Sequence, residues 1–148
     1  MQIAYVSGFF DGEGSISILK QTDQARPTNF YHVLKVSVAN GNREVLNEFQ
    51  ALFGGNIYTR KSHEGLSRAY VWSVAAKEAD VFLKKVRSHV MVKKTQTEIA
   101  IRFRNTFRNW WHVIPQSVLD ERESLRKELM KINNRKKDTS RFSIPRVV

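Results

Sequence analysis

Two carboxylates near the start of the chain alternate with glycines. In AYVSGFFDGEGSIS, residues 4–17, Asp11 and Glu13 interleave with Gly12 and Gly14. Carboxylate oxygens are hard donors, suited to Mg²⁺ or Mn²⁺ and, in looser geometry, Ca²⁺. The chain carries 25 Lys+Arg against 14 Asp+Glu, so two neighbouring acids run against its prevailing sign. A plainer alternative has the acids decorating a turn, with the glycines as turn residues. Other chemistries are poorly served. There are no cysteines, which excludes disulfides and Cys-based zinc sites. His32, His63, His89 and His112 are scattered without ligand spacing. No nucleotide-cradling glycine loop or nucleophile constellation is present, which disfavours a small-molecule enzyme.

Charge sets the class of partner. The formal net charge is +11 and the pI about 10.2, which points to a polyanion. Nucleic acid comes first and an anionic membrane surface second. A membrane-surface protein concentrates its charge on one amphipathic helix; here basic residues are spread along the chain. No apolar run reaches the ~18 residues of a membrane span and no signal peptide is visible, so an intracellular, soluble protein is expected. At 148 residues with 41% hydrophobic composition, the chain is the size of one domain with a real core. That domain is expected over residues 1–133, with a basic, flexible tail over 134–148.

The elements must then position the acids. Residues 2–12 read as a short helix through Ile3, Val6 and Phe10. Ala4, Gly8 and Gly12, and also Ser7 and Asp11, recur every four residues, a stripe that lets another backbone approach. Residues 15–20 alternate as a half-buried strand, 21–29 read as a loop, and a second strand runs from Phe30 to Ala39. Asn42 opens a helix through Val45, Leu46, Phe49, Leu52 and Phe53, closed by Gly54–Gly55. NIYTRKS and RAYVWSVA form two more strands about the turn HEGLS. Helices are expected over 77–87, with Ala79, Phe82, Leu83 and Val86 inward, and over 94–111 through Ile99, Phe103, Phe107 and Trp110. Pro115 breaks the latter. A last helix carries Leu125, Leu129 and Ile132, with Ser117 and Asp120 as a capping box. The order α-β-β-α-β-β-α-α-α predicts an α+β fold: a four-stranded antiparallel sheet with helices on one face. The open face would carry Ser17, Leu19, Gln21, Tyr31, Val33, Lys35, Ser37, Thr59, Arg60, Lys61 and Val71, fit for a DNA major groove.

The stretch YVSGFFDGEG, residues 5–14, resembles the signature of the LAGLIDADG homing endonucleases, and the order of elements through about residue 110 is similar too. The resemblance implies an αββαββα saddle and site-specific DNA cleavage dependent on Mg²⁺ or Mn²⁺, with Ca²⁺ supporting binding but little cleavage. It puts Glu13 at the catalytic, metal-binding acid, where Asp is common, and the Gly12 carbonyl beside the metal. It gives Ser7, Gly8, Asp11 and Gly12 to packing between two motif helices, with Asp11 structural. Asn40 resembles the polar residue holding active-site water, or is merely a helix cap. Lys93, or Lys94 one residue on, resembles the lysine near the scissile phosphate, or merely begins a helix. Arg43 is the available basic residue after Asn40.

The motif occurs once. The resemblance therefore implies a homodimer with one Glu13 per chain, two acids meeting two scissile phosphates across a two-fold axis. Strands of ~8 residues at ~3.3 Å span roughly 8 base pairs, so the target is a pseudo-palindrome of roughly 20 base pairs. An intron maturase acting on RNA, or a DNA-binding relative that no longer cuts, is the competing expectation.

Overall fold

The computed structural model describes residues 1–61, 68–107 and 113–139. The elements are α1 (Ile3–Glu13), β1 (Gly14–Asp23), β2 (Arg26–Asn40), α2 (Arg43–Phe53), β3 (Asn56–Lys61), β4 (Arg68–Ala75), α3 (Ala76–Val86), α4 (Lys94–Asn105) and α5 (Gln116–Thr139). Their order is the expected one. The strands form one antiparallel sheet in the order β1-β2-β4-β3.

Period-two alternation decides the faces. Ile16 and Ile18 lie opposite Val36 and Leu34, and Val36 and Val38 lie opposite Val74 and Trp72. All are buried, together with Val6 and Phe10 of α1, Leu46 and Phe49 of α2, Phe82 of α3 and Phe103 of α4. At the centre Phe82 meets Trp72, Phe53 and Phe10 edge-on, with ring centroids 4.9–5.2 Å apart. Asn42 caps α2 by accepting from the Glu44 amide at 2.9 Å, and Gly54, at φ +71°, closes it.

Four boundaries differ from expectation. The first hairpin is longer, because strands replace most of the loop over 21–29. Asp23 accepts from the Ala25 amide at 2.9 Å, so a short turn suffices. Gln21, Thr22, Gln24, Arg26 and Asn29 of that ribbon are exposed rather than unstructured. Helix α4 stops at Asn105, where Thr106 folds back to donate its hydroxyl to the Phe103 carbonyl at 2.7 Å. Pro115, not Ser117, begins α5, by accepting from the Val118 and Leu119 amides. Helix α5 also runs past residue 133, to Thr139. The HEGLS turn, Trp110 and residues 140–148 lie outside the described residues.

Helix α5 is bound to the rest of the chain. Leu125 and Leu129 enter the common core. The Asn133 side chain donates its Nδ2 to the Ile16 carbonyl at 3.0 Å, covering an outward backbone group of edge strand β1. Buried Arg122 donates to the Thr106 hydroxyl and carbonyl at 2.9 and 3.1 Å and stacks 3.7 Å over the Phe107 ring.

Candidate functional site

Helix α1 ends where β1 begins, and Gly14 makes that junction possible. A Cβ there would stand 2.2 Å from the Phe10 ring and 2.5 Å from the Phe10 carbonyl. The short transition leaves Glu13 exposed as the last residue of the helix. Gly8 and Gly12 are exposed too, and a Cβ on either would meet nothing within 4 Å. Their smallness therefore serves no contact inside this chain.

Ser7 behaves differently. It is fully buried, and its hydroxyl donates to the Ile3 carbonyl at 2.7 Å. The expectation that Ser7 lies in a helix–helix interface is corrected: with Val6 and Phe10 it faces its own core. Ile3 is conversely exposed.

Asp11 also turns to its own chain. Its carboxylate accepts from the backbone amides of Met91, Val92 and Lys93 at 2.9, 2.9 and 2.8 Å. Burial raises its pKa, but those three amides and the Lys93 charge outweigh burial and hold it below the ordinary carboxylate value. Its side chain is thus engaged within the chain and not offered to a second helix. Lys93 is buried and donates Nζ to the Asp11 carbonyl at 2.6 Å. Its ammonium therefore sits at the C-terminal, negative end of α1, two residues from Glu13. Lys94 is exposed at the first position of α4.

Asn40 comes to the same end of the molecule. Gly14 pairs with Val38, so the end of β2 lies beside the end of α1. The Asn40 side-chain oxygen accepts from the Asn42 amide at 2.8 Å, and Arg43 stacks 5.6 Å from the ring of Tyr70, which pairs with Asn40. Lys93 thus stands at the end of α1 with Glu13, and the β2 end that carries Asn40 runs beside it, with Arg43 over neighbouring Tyr70.

The open sheet face is banded across the strands. Gln21 lies opposite Tyr31, Leu19 opposite Val33, and Ser17 in line with Lys35 and Ala75. Next come Ser15, Ser37, Ser73 and Asn56, then Ala39, Val71 and Tyr58, then Ala69 and Arg60. Three expected contacts are corrected. Thr59 pairs with Tyr70 and Lys61 with Arg68, which puts both on the helix side by register; Tyr58 joins the expected Arg60 in the open positions. Val71 is on the open face but only 4% exposed. The Lys35 ammonium reaches to 5.8 Å from the Tyr58 ring, across intervening β4, and the long pair crosses the strand that carries Val71. Arg60 was expected there, and alternation from half-buried Ile57 would have given Tyr58 as well. The Asp11 clamp had no such signal, since its partners are backbone amides 80 residues away.

The family model for LAGLIDADG endonucleases matches residues 6–89, from within α1 to just beyond α3. The chain belongs to the LAGLIDADG endonuclease family. Solved members have the same fold. An archaeal intron-encoded homing endonuclease, I-Vdi141I complexed with DNA, is 25% identical with a TM-score of 0.72, over 87% of this chain and 82% of that one. I-CvuI in complex with its target and calcium is 17% identical with a TM-score of 0.72, over 99% and 85%. I-GzeII with its DNA target is 19% identical with a TM-score of 0.69, over 85% of this chain but 44% of that one. This LAGLIDADG chain thus corresponds to one half of the longer I-GzeII.

The donor set at the α1 terminus fits a hard divalent cation. Glu13 supplies an exposed carboxylate, and the Gly12 carbonyl belongs to the last turn, which lacks intrahelical donors. Among the described residues no group of three or more His, Asp or Glu is placed to hold a metal.

Proposed function

We propose that this LAGLIDADG enzyme is a site-specific homing endonuclease that works as a homodimer. It makes a double-strand break in a pseudo-palindromic DNA target of roughly 20 base pairs. The observation that carries this reading is the exposed Gly12–Glu13 terminus of α1, with Gly8 and Gly12 open to an approaching helix. The banded sheet face supplies the base contacts. Lys35 and Arg60 favour the phosphate-rich groove, and the serine band offers donors and acceptors to base edges.

Glu13 and the Gly12 carbonyl would hold Mg²⁺ or Mn²⁺, which when bound supplies activated water and offsets charge on the leaving oxygen. Lys93, fixed by Asp11, brings positive charge to the scissile phosphate. Asn40 orients water at the strand end, with its oxygen already set by Asn42.

The test is incubation with a plasmid library of candidate sites in Mg²⁺. Linearisation of a discrete subset is expected. Binding to structured RNA without any DNA cleavage would contradict the reading and favour a maturase.

A further inference from the structure

The Asp11 clamp leaves two large apolar side chains in solvent. Met91 is 83% exposed and Val92 61%. Single exposed hydrophobes are ordinary, but these two are adjacent, and both their amides are fixed to one carboxylate at 2.9 Å. They are held in position beside the end of α1, immediately before Lys93.

Area then decides what they face. An 11-residue helix is ~16 Å long, and a strip ~10 Å wide along it offers on the order of 160 Å². A stable interface needs about 800 Å² from each partner. If α1 meets its copy, most of the contact must come from surface flanking the helix. The Met91–Val92 pair is apolar, preset and contiguous with the exposed Gly12 end of α1.

We propose that Met91 and Val92 form an apolar flank of the contact between two copies of this chain. Through Asp11, the same contact ties the partner's arrival to the position of Lys93. The proposal rests on the reading that two α1 helices meet. In a two-fold dimer the pair is used twice, so its removal is felt twice.

The clamp is made by backbone amides, so Met91→Ser/Val92→Ser removes the side chains and keeps the clamp. The dimer dissociation constant, by sedimentation equilibrium, should rise about ten-fold or more, with the melting temperature of the monomer unchanged. Cleavage should fall at dilute protein and return at high protein. The chain has no cysteine, so Met91→Cys and Val92→Cys provide an independent measurement. A short bismaleimide should join two copies at either position, and not at Lys127→Cys on exposed α5. A dissociation constant within about two-fold of wild type, or no cross-link in a proven dimer, overturns the proposal. So does a loss of DNA affinity with the dimer intact, which would make the pair a minor-groove wedge. Wild-type protein that stays monomeric on its target would remove the underlying reading itself.

Discussion

Asp11 and Glu13 are two residues apart and have separate work. Asp11 is saturated by three amides of its own chain, whereas Glu13 ends the helix in solvent. Asp11→Asn keeps the shape but loses charge-assisted bonds, so stability should fall by about 1–2 kcal/mol in a thermal melt. Its cleavage should be recoverable at lower temperature. The two candidate lysines separate equally well. Lys93→Met should cut cleavage by about 10²-fold with target affinity nearly kept, while Lys94→Met should leave the rate close to wild type. Single-turnover rates decide between them, and equal losses would contradict the placement of Lys93. Gly14→Ala drives a methyl into Phe10 and should cost about 2–3 kcal/mol, measured by urea denaturation. From sequence, the separation of Asp11 from Glu13 came only as what the family resemblance implies, with Asp11 structural and Glu13 at the metal. The signature gave no sign that Ser7 faces inward. A small polar residue fits a helix interface and a tight core equally, and only the rotation of α1 on the sheet chooses.

At the scale of the elements, the attachment of α5 depends in part on charge. Glu123 of α5 accepts from Arg126 at 2.7 Å and shares its other oxygen with His32 of β2, also at 2.7 Å. The Arg126 hydrogen bond first, then that from His32, hold its pKa at about 2, below the ordinary carboxylate value of 4.5, against the effect of burial. The folded value is the lower one, so the ionised form stabilises the fold. That contribution is complete above about pH 4.5 and is lost as pH falls towards 2. Glu123→Gln should therefore lower stability at pH 7 by about 1 kcal/mol, a difference that shrinks through the same window. Melting temperatures of both proteins from pH 7 to 2 check this; a difference constant with pH would contradict it. Helices α2 and α3 were legible because their apolar residues recur at helical spacing and a cap or glycines mark the ends of α2. The ends of α4 and α5 were not: Thr106 and Pro115 close and open their own helices through local bonds that leave no periodicity, and Arg122 reaches Thr106 from another element. Alternation puts Tyr58 on the open face, yet Thr59 and Lys61 were expected there, and the burial of Val71 accompanies the approach of Lys35 to Tyr58 across its strand.

At the scale of the whole molecule, a charge of +11 and an open polar sheet face predict binding dominated by phosphate contacts. If about 6–10 phosphates are neutralised per complex, affinity should drop by about 10³–10⁵ between 50 and 200 mM salt. A nearly flat plot of log K against log salt would contradict groove binding. Gly8→Leu places a branched side chain where the chain itself leaves open space. The folded monomer should survive it and the dimer should not, by light scattering. The central claim is that two chains each bring one Glu13 to one target. Glu13→Gln keeps size and loses the metal-holding charge. In paired gel-shift and cleavage assays on one target, it should bind as well as wild type or better, because two anions beside phosphates are removed. Cleavage in Mg²⁺ should fall by at least ~10³-fold, and wild type in Ca²⁺ should show the same pattern of binding with little cutting. Cleavage by Glu13→Gln at near wild-type rate would contradict the account.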